Sequence, residues 1–226
     1  MPAPREIMDA FYRLLHKQLS SFFFVNADEL AEIDEAREEI DTRFLNLCAH
    51  LKNKYYSNTE NLTPLHSCQY TMFLYFTANT LFQRRGKRLE ICDKIYNLSK
   101  ICSAADLYYE IELPEIFMFD HPVAAVMGRA RYGNYFSFSQ GCTVGNNHGF
   151  YPSFGEFVVM HSNSKVLGKC QIGNNVIISA NTYVKDIDIP DNSMVFSSYE
   201  TYRGGVYIKP ISEEKAASYF NNIFYR

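Results

Sequence analysis

Between Val126 and Ile189 an apolar residue opens each successive block of six. The series is Val126, Tyr132, Phe138 and Val144. A four-residue interruption, Phe-Tyr-Pro-Ser, follows at 150–153, and the series resumes with Phe154, Met160, Val166, Ile172, Ile178 and Val184. Glycine follows the apolar residue at Gly133, Gly145, Gly155 and Gly173, and small residues recur four places on, at Ala130, Cys142, Ser164, Cys170, Val176 and Thr182. A period of six matches neither a 3.6-residue helix nor an unbroken period-2 strand. It matches a parallel β-helix, in which each block is one flat face of a triangular coil and its leading residue points at the axis. Gly and Asn then fall where the chain turns a corner, because they tolerate positive φ. An ordinary β-sandwich with scattered Gly and Asn turns would need ten leading positions in one register by accident.

Helical signals fill the chain ahead of the repeat. Residues 3–24 carry Ile7, Phe11, Leu14, Leu15 and Leu19 at helical spacing. Asn26, with Asp28 and Glu29 behind it, caps a second helix whose apolar stripe runs through Leu30, Ile33, Ile40, Phe44, Leu47 and Leu51 to about Lys52. Thr63-Pro64 reads as the start of a strongly apolar third helix over 65–84, ended by Arg84, Arg85 and Gly86. A fourth spans about Arg88 to Ser103. Behind the repeat, residues 199–210 read as irregular, and Ser212 starts a short helix with Phe220 and Phe224 on one side. The expected architecture is α+β: an N-terminal α-helical domain (1–107), a β-helix domain (108–198), and a C-terminal tail with a short helix (199–226).

Composition narrows the function classes. Among 226 residues, 22 are basic and 25 acidic, a formal charge of −3 that favours neither nucleic acid nor an anionic membrane. Aliphatic and aromatic content, with 17 Tyr and 18 Phe, suffices for a full core. No apolar run reaches the roughly 20 residues of a membrane span, and the first residues lack a signal-peptide pattern. Cys48, Cys68, Cys92, Cys102, Cys142 and Cys170 form no CxxC pair, and reduced thiols suit a cytoplasmic protein.

Six histidines are available for chemistry: His16, His50, His66, His121, His148 and His161. His121 stands out in Phe-Asp-His-Pro at 119–122, just before the repeat. A histidine beside a carboxylate is the usual general base for a hydroxyl group. His148 adjoins the interruption, and an insertion in a solenoid projects as a loop that carries function. Tyr151 lies in the same loop. His121, His148 and His161 lack a tight metal-ligand spacing, so no metal is expected.

The stretch from Asp106 to Lys185 resembles the serine acetyltransferase family of left-handed β-helix, hexapeptide-repeat acyltransferases. The matching segments are DLYYEIELPEI, FDHP, SQGCTVGNN, HSNSKVLG and IGNNVIISANTYV. The resemblance implies a homotrimer or a dimer of trimers, with acetyl-CoA as co-substrate in a groove between subunits. It places the catalytic base on His121 and the acceptor-binding carboxylate on Asp120. It assigns the His-orienting carboxylate to Glu112, with Glu110 and Glu115 as alternatives because the spacing departs from the family. His148 or Tyr151 stands in for a second site histidine. Backbone N–H groups near 141–146 are placed to hold the oxyanion. Ser162, Ser164, Ala180 and Asn181 line the pantetheine groove, with Lys185 near the nucleotide.

One departure bears on the acceptor. The family's loop carries an Arg that grips the serine carboxylate, whereas the loop here, NNHGFYPSFG, has none. The implied activity is therefore O-acetyl transfer to L-serine or a serine-like small-molecule hydroxyl. A sugar hydroxyl of a surface-polysaccharide precursor, stacked on Phe117, Phe119, Phe150 or Tyr151, is the alternative acceptor. A non-catalytic β-helix scaffold is the alternative from another class.

Overall fold

Helix and strand segregate along the chain as the two periodicities dictate. The structure is a computed structural model and describes residues 4–198 and 205–225. It divides into two units, Met1–Glu110 and Ile111–Arg226.

The first unit contains α1 (Pro4–Phe22), α2 (Ala27–Glu35), α3 (Arg37–Ala49), α4 (Ser67–Arg85), α5 (Glu90–Ser103) and a two-residue strand, β1 (Asp106–Leu107). α4 is the centre of this unit, with every residue from Cys68 to Leu81 buried. A helix that is apolar all round must be enclosed by its neighbours. The ring centroid of Phe73 lies 5.1 Å from those of both Phe11 and Tyr12 and 6.0 Å from that of Phe44. Arg43 answers two buried polar groups of α4, donating to Asn79 Oδ1 at 2.9 Å and to Thr80 Oγ1 at 2.8 Å.

Two helix boundaries differ from the sequence expectation. The stripe from Leu30 to Leu51 predicts one helix, and the chain forms two. Asn26 does cap the first, in a reciprocal box with Glu29. The break falls at Ala36, whose N–H reaches the carbonyls of Asp34 and Ile33 rather than the residue four back. Ala36 is fully buried, and Arg37 lays its guanidinium 4.1 Å above the Tyr12 ring. The break keeps the same face inward, so the apolar periodicity does not register it. The third predicted helix starts at Ser67, two residues late. Thr63 caps only a turn, accepting from Leu65 N, and His66 is the true N-cap, its Nδ1 accepting from Gln69 N. The C-terminal signal holds, with Gly86 left-handed at φ 61°.

The second unit is a parallel β-solenoid of three faces. The first face is β2 (Phe117–Asp120), β4 (Phe136–Ser139), β7 (Val158–Met160), β10 (Val176–Ile178) and β12 (Ser193–Ser197). The second includes β3 (Val126–Met127), β5 (Thr143–Gly145), β8 (Lys165–Leu167) and β11 (Tyr183–Lys185). The third is β6 (Ser153–Phe154) beside β9 (Gln171–Ile172), extended by bridges from Arg131 to Ser153 and from Ile172 to Ile189. Val158 pairs with Val176, a turn of 18 residues. Thr143 pairs with Lys165, a turn of 22, so the extra four residues fall in that turn.

The leading residues point inward and are buried, with one exception. Val126 is 39% exposed, and Met127 takes the inward place opposite Val144. Val126 pairs with Thr143, a turn of only 17 residues, so the pattern slips by one there. The last turn, Lys185–Asp191, ends the stack with carboxylates. Asp186, Asp188 and Asp191 accept from the backbone N–H groups of Lys169, Gln171 and Asn174 at 2.9, 2.8 and 2.7 Å. Gly173 makes room for this: a Cβ there would lie 2.3 Å from Asp191 Oδ1.

The tail is more ordered than its sequence predicts. Of the stretch read as irregular, residues 199–204 lie outside the described residues, and 206–210 form β13 (Val206–Pro210), antiparallel to β12. The open edge of β12 supplies the pairing that local sequence does not announce. Ser212 then caps α6 (Glu213–Phe220) as expected. The outward residues Ser137, Val159 and Ile177 of the first face are nevertheless buried. The tail covers this face: Phe220 contacts Phe157 and Phe224 contacts Tyr135, with centroids 5.6 and 5.5 Å apart.

Candidate active site

His121 stands at the corner where the first face turns into the second. β2 delivers Asp120 in register with Ser139 of β4, so His121 occupies the next rung with Gln140. Phe138 pairs with Met160, and Met160 with Ile178, so the same rung continues to Ser162 and Ala180. Backbone bonds tie this corner from turn to turn. Gly141 N donates to Val123 O at 2.9 Å, Asn163 N to Gln140 O at 2.8 Å, and Asn181 N to Ser162 O at 2.9 Å.

The repeating left-handed position of this corner is held by Ala124, Gly141, Asn163 and Asn181 at φ 58°, 66°, 62° and 58°, and His121, three residues before Ala124, is a further left-handed residue at φ 49°. Histidine is uncommon in that region, though enriched relative to other side chains. The turn projects the imidazole outward, leaving 79% of the side chain exposed. The carboxylate beside it is that of Asp120, with Oδ1 3.5 Å from Nε2. Glu112 is exposed. Glu110, in the other unit, accepts from the Tyr108 hydroxyl at 3.1 Å.

The candidate donor residues divide. Ser162, Ala180 and Asn181 lie on the accessible side of the His121 corner, one and two turns beyond Gln140. Ser164 does not: it is fully buried, with its hydroxyl 3.6 Å from Cys142 Sγ inside the coil. The turn at 161–164 swings its last residue inward, so neither the backbone nor the side chain of Ser164 reaches the surface of the corner. Lys185 ends β11 on the second face and is exposed.

His148 and Tyr151 belong to another corner. The extra residues of the 22-residue turn fold as a two-residue hairpin, with Asn147 and Phe150 exchanging backbone bonds of 3.0 Å. His148 and Gly149 sit at its tip at φ 50° and 84°, as a primed turn demands. His148, Phe150 and Tyr151 are all exposed. From Cys142 to Asn147 the chain crosses the second face through about five extended residues, roughly 16 Å. His121 and His148 therefore do not meet on one chain.

Two residues of interest escaped sequence reasoning. His161 entered only as a rejected metal ligand, yet its Nε2 lies 2.7 Å from the Tyr219 hydroxyl. The two are 58 positions apart, and no local pattern links them. Among the described residues no group of three His, Cys, Asp or Glu side chains is placed to hold a metal ion.

A search of family models finds no match. A serine acetyltransferase of Synechococcus elongatus is 29% identical over 146 residues, covering 61% of this chain and 58% of that protein. The chain thus spans less than two thirds of that relative's length. Among solved structures, serine acetyltransferase isoform 3 of Entamoeba histolytica in complex with cysteine aligns with a TM-score of 0.59 and 21% identity, covering 96% of this chain and 75% of that one. A serine acetyltransferase in complex with CoA aligns with a TM-score of 0.64 and 19% identity, over 80% of this chain and 75% of that one. The fold is that of the serine acetyltransferases. The sequence resemblance and the three-dimensional likeness thus agree on a helical region, a β-solenoid and a helical tail.

Proposed function

We propose that this chain is an acetyl-CoA-dependent O-acetyltransferase of the serine acetyltransferase type, acting on L-serine or a serine-like hydroxyl. The observation that carries the reading is the placement of His121. It is exposed, beside Asp120, and on the same corner as the Ser162, Ala180 and Asn181 rungs. The named relative and the CoA-bound neighbour support the same chemistry.

In this reading the acceptor hydroxyl attacks the thioester carbonyl directly. Neutral imidazole of His121 takes the hydroxyl proton as the new C–O bond forms. The tetrahedral intermediate collapses with loss of the thiolate, which recovers that proton and leaves as CoA thiol. The Asp120 carboxylate stabilises the transient imidazolium and offers an anionic contact for an acceptor ammonium. Holding both reactants at one corner makes the step effectively unimolecular.

The acceptor side of the site is incomplete on a single chain, since His148 and Tyr151 occupy a different corner from His121. A homotrimer, alone or paired into a hexamer, would bring the hairpin of one copy to the His121 corner of another. Exposed Val126 and Tyr183 on the second face suit such an interface. No described helix is long and apolar enough to cross a membrane, and the cytoplasm is the compartment we assign.

A sugar hydroxyl is the second acceptor reading. It is favoured by the hairpin itself, which presents Phe150 and Tyr151 to solvent and carries no Arg to clamp an amino-acid carboxylate. Thiol release from acetyl-CoA, measured with L-serine, amino sugars and nucleotide sugars beside His121→Ala, tests both. Release with serine alone supports the first reading, and release with a sugar alone supports the second. Release unaffected by His121→Ala would remove the general base. No release and no acetyl-CoA binding would leave a scaffold.

A further inference from the structure

The C-terminal tail does more than cover the first face. α6 is held down by apolar contacts: Ala216 and Phe220 are fully buried and Phe224 nearly so. These suffice to dock a short helix. Tyr219 adds something directional. Its hydroxyl lies 2.7 Å from Nε2 of His161, and the two rings meet edge to face at 85°.

His161 is where β7 becomes the corner. Its rung is shared with Ser139 and so with Asp120, one residue before the rung of His121. Its carbonyl closes the turn that follows, accepting from Ser164 N at 3.0 Å and from Cys142 Sγ at 3.2 Å. Ser162 and Asn163, on the outer side of that turn, border the corner proposed for the acyl donor. Fixing the His161 ring therefore fixes the start of a turn whose other residues have no bulky side chains to hold them.

We infer that Tyr219 is a positioning residue for the acyl donor, acting through His161 to hold the 161–164 turn in the shape that acetyl-CoA requires. The inference rests on the acetyltransfer reading above. It makes the tail part of the donor site, although no tail residue need touch the donor.

The test is a double-mutant cycle on the full chain with Tyr219→Phe, His161→Phe and the pair. Steady-state KM for acetyl-CoA, kcat, Tm and amide exchange across 161–164 and 213–220 are measured. Either single change should raise KM for acetyl-CoA about fivefold, the worth of one hydrogen bond. kcat should hold within about twofold and Tm within about 3 °C. The pair should cost no more than one single change, because both remove the same interaction. Exchange should quicken at 161–164 and stay slow at 213–220.

Unchanged KM with quickened exchange would overturn the inference while leaving acetyltransfer intact. Additive losses, or KM, kcat and Tm failing together, would reduce Tyr219 to a packing residue and overturn it as well. A wild-type chain that binds no acetyl-CoA by titration calorimetry would overturn both this inference and the acetyltransfer reading.

Discussion

Asn147 donates its side-chain amide to Oδ2 of Asp186 at 2.6 Å, tying the hairpin to the corner two turns further along the stack. The other carboxylate oxygen of Asp186 accepts from Lys169 N, so one side chain pins two turns. Asp186 itself is left-handed at φ 54°, a conformation alanine adopts poorly. Asp186→Ala should lower stability by about 1–3 kcal/mol. Urea unfolding reads the loss, and faster amide exchange at Asn147 and Phe150 should accompany it. An unchanged midpoint would show that the hairpin stands without this tie.

The exposure of His121 separates its chemical role from any packing role. His121→Ala should leave Tm within about 2 °C, since a surface side chain away from the core carries little stability. Acetyl transfer should fall by about 10²-fold or more. A variant that keeps full acetyl transfer would count against the assignment.

Phe220 is fully buried against Phe157 and anchors α6. Phe220→Ala should cost about 3–5 kcal/mol, as for other buried aromatic truncations. The loss should expose Val159 and Ile177, which increased binding of a hydrophobic dye reports. A change near zero would mean the tail contributes no net stability to the solenoid.

Burial lowers the pKa of His161 from its ordinary value of 6.5. The folded chain therefore prefers neutral imidazole, and the unfolded chain binds the extra proton first. Stability from this group is fully present above about pH 6.5, where both forms are neutral. It is lost as pH falls from there through the lower folded value. The carboxylate on its rung is Asp120, Glu156 stands five residues before it in the chain, and Glu213 and Glu214 open α6 at the far end from Tyr219. The Tm difference between wild type and His161→Gln should therefore narrow on acidification from pH 7 to 5. A constant difference would show that His161 is not the group responsible.

At Gly173 a Cβ would sit 2.3 Å from Asp191 Oδ1 and 2.6 Å from Asp191 N. Gly173→Ala should push the last turn outward and cost about 1–3 kcal/mol. A neutral substitution would show that the terminal turn shifts freely.

Much of this arrangement is legible residue by residue. The period of six fixes which side chains point inward, because every turn repeats the same three faces and each face buries its leading residue and the residue two places before it. Ser212, Gly86 and Asn26 mark helix ends through groups that act within a few residues of themselves. His121 is legible because Asp120 is its chain neighbour. The break at Ala36 was not legible, since it leaves the buried face unchanged. Neither was the cap at His66, because Thr63-Pro64 carries a stronger local signal. The slip at Val126 follows from a shortened turn, which shows only when strands are paired.

The sequence by itself thus determined the solenoid, the helices ahead of it, and the histidine that its first corner displays. These rest on short-range periodicity and on neighbours in the chain. Tertiary structure decided three things that depend on residues distant along the chain. It turned Ser164 inward, it set His121 and His148 on different corners, and it brought Tyr219 to His161 across 58 residues. The physical reason is that a coil converts chain position into rung and corner, and only the length of each turn says which residues share one.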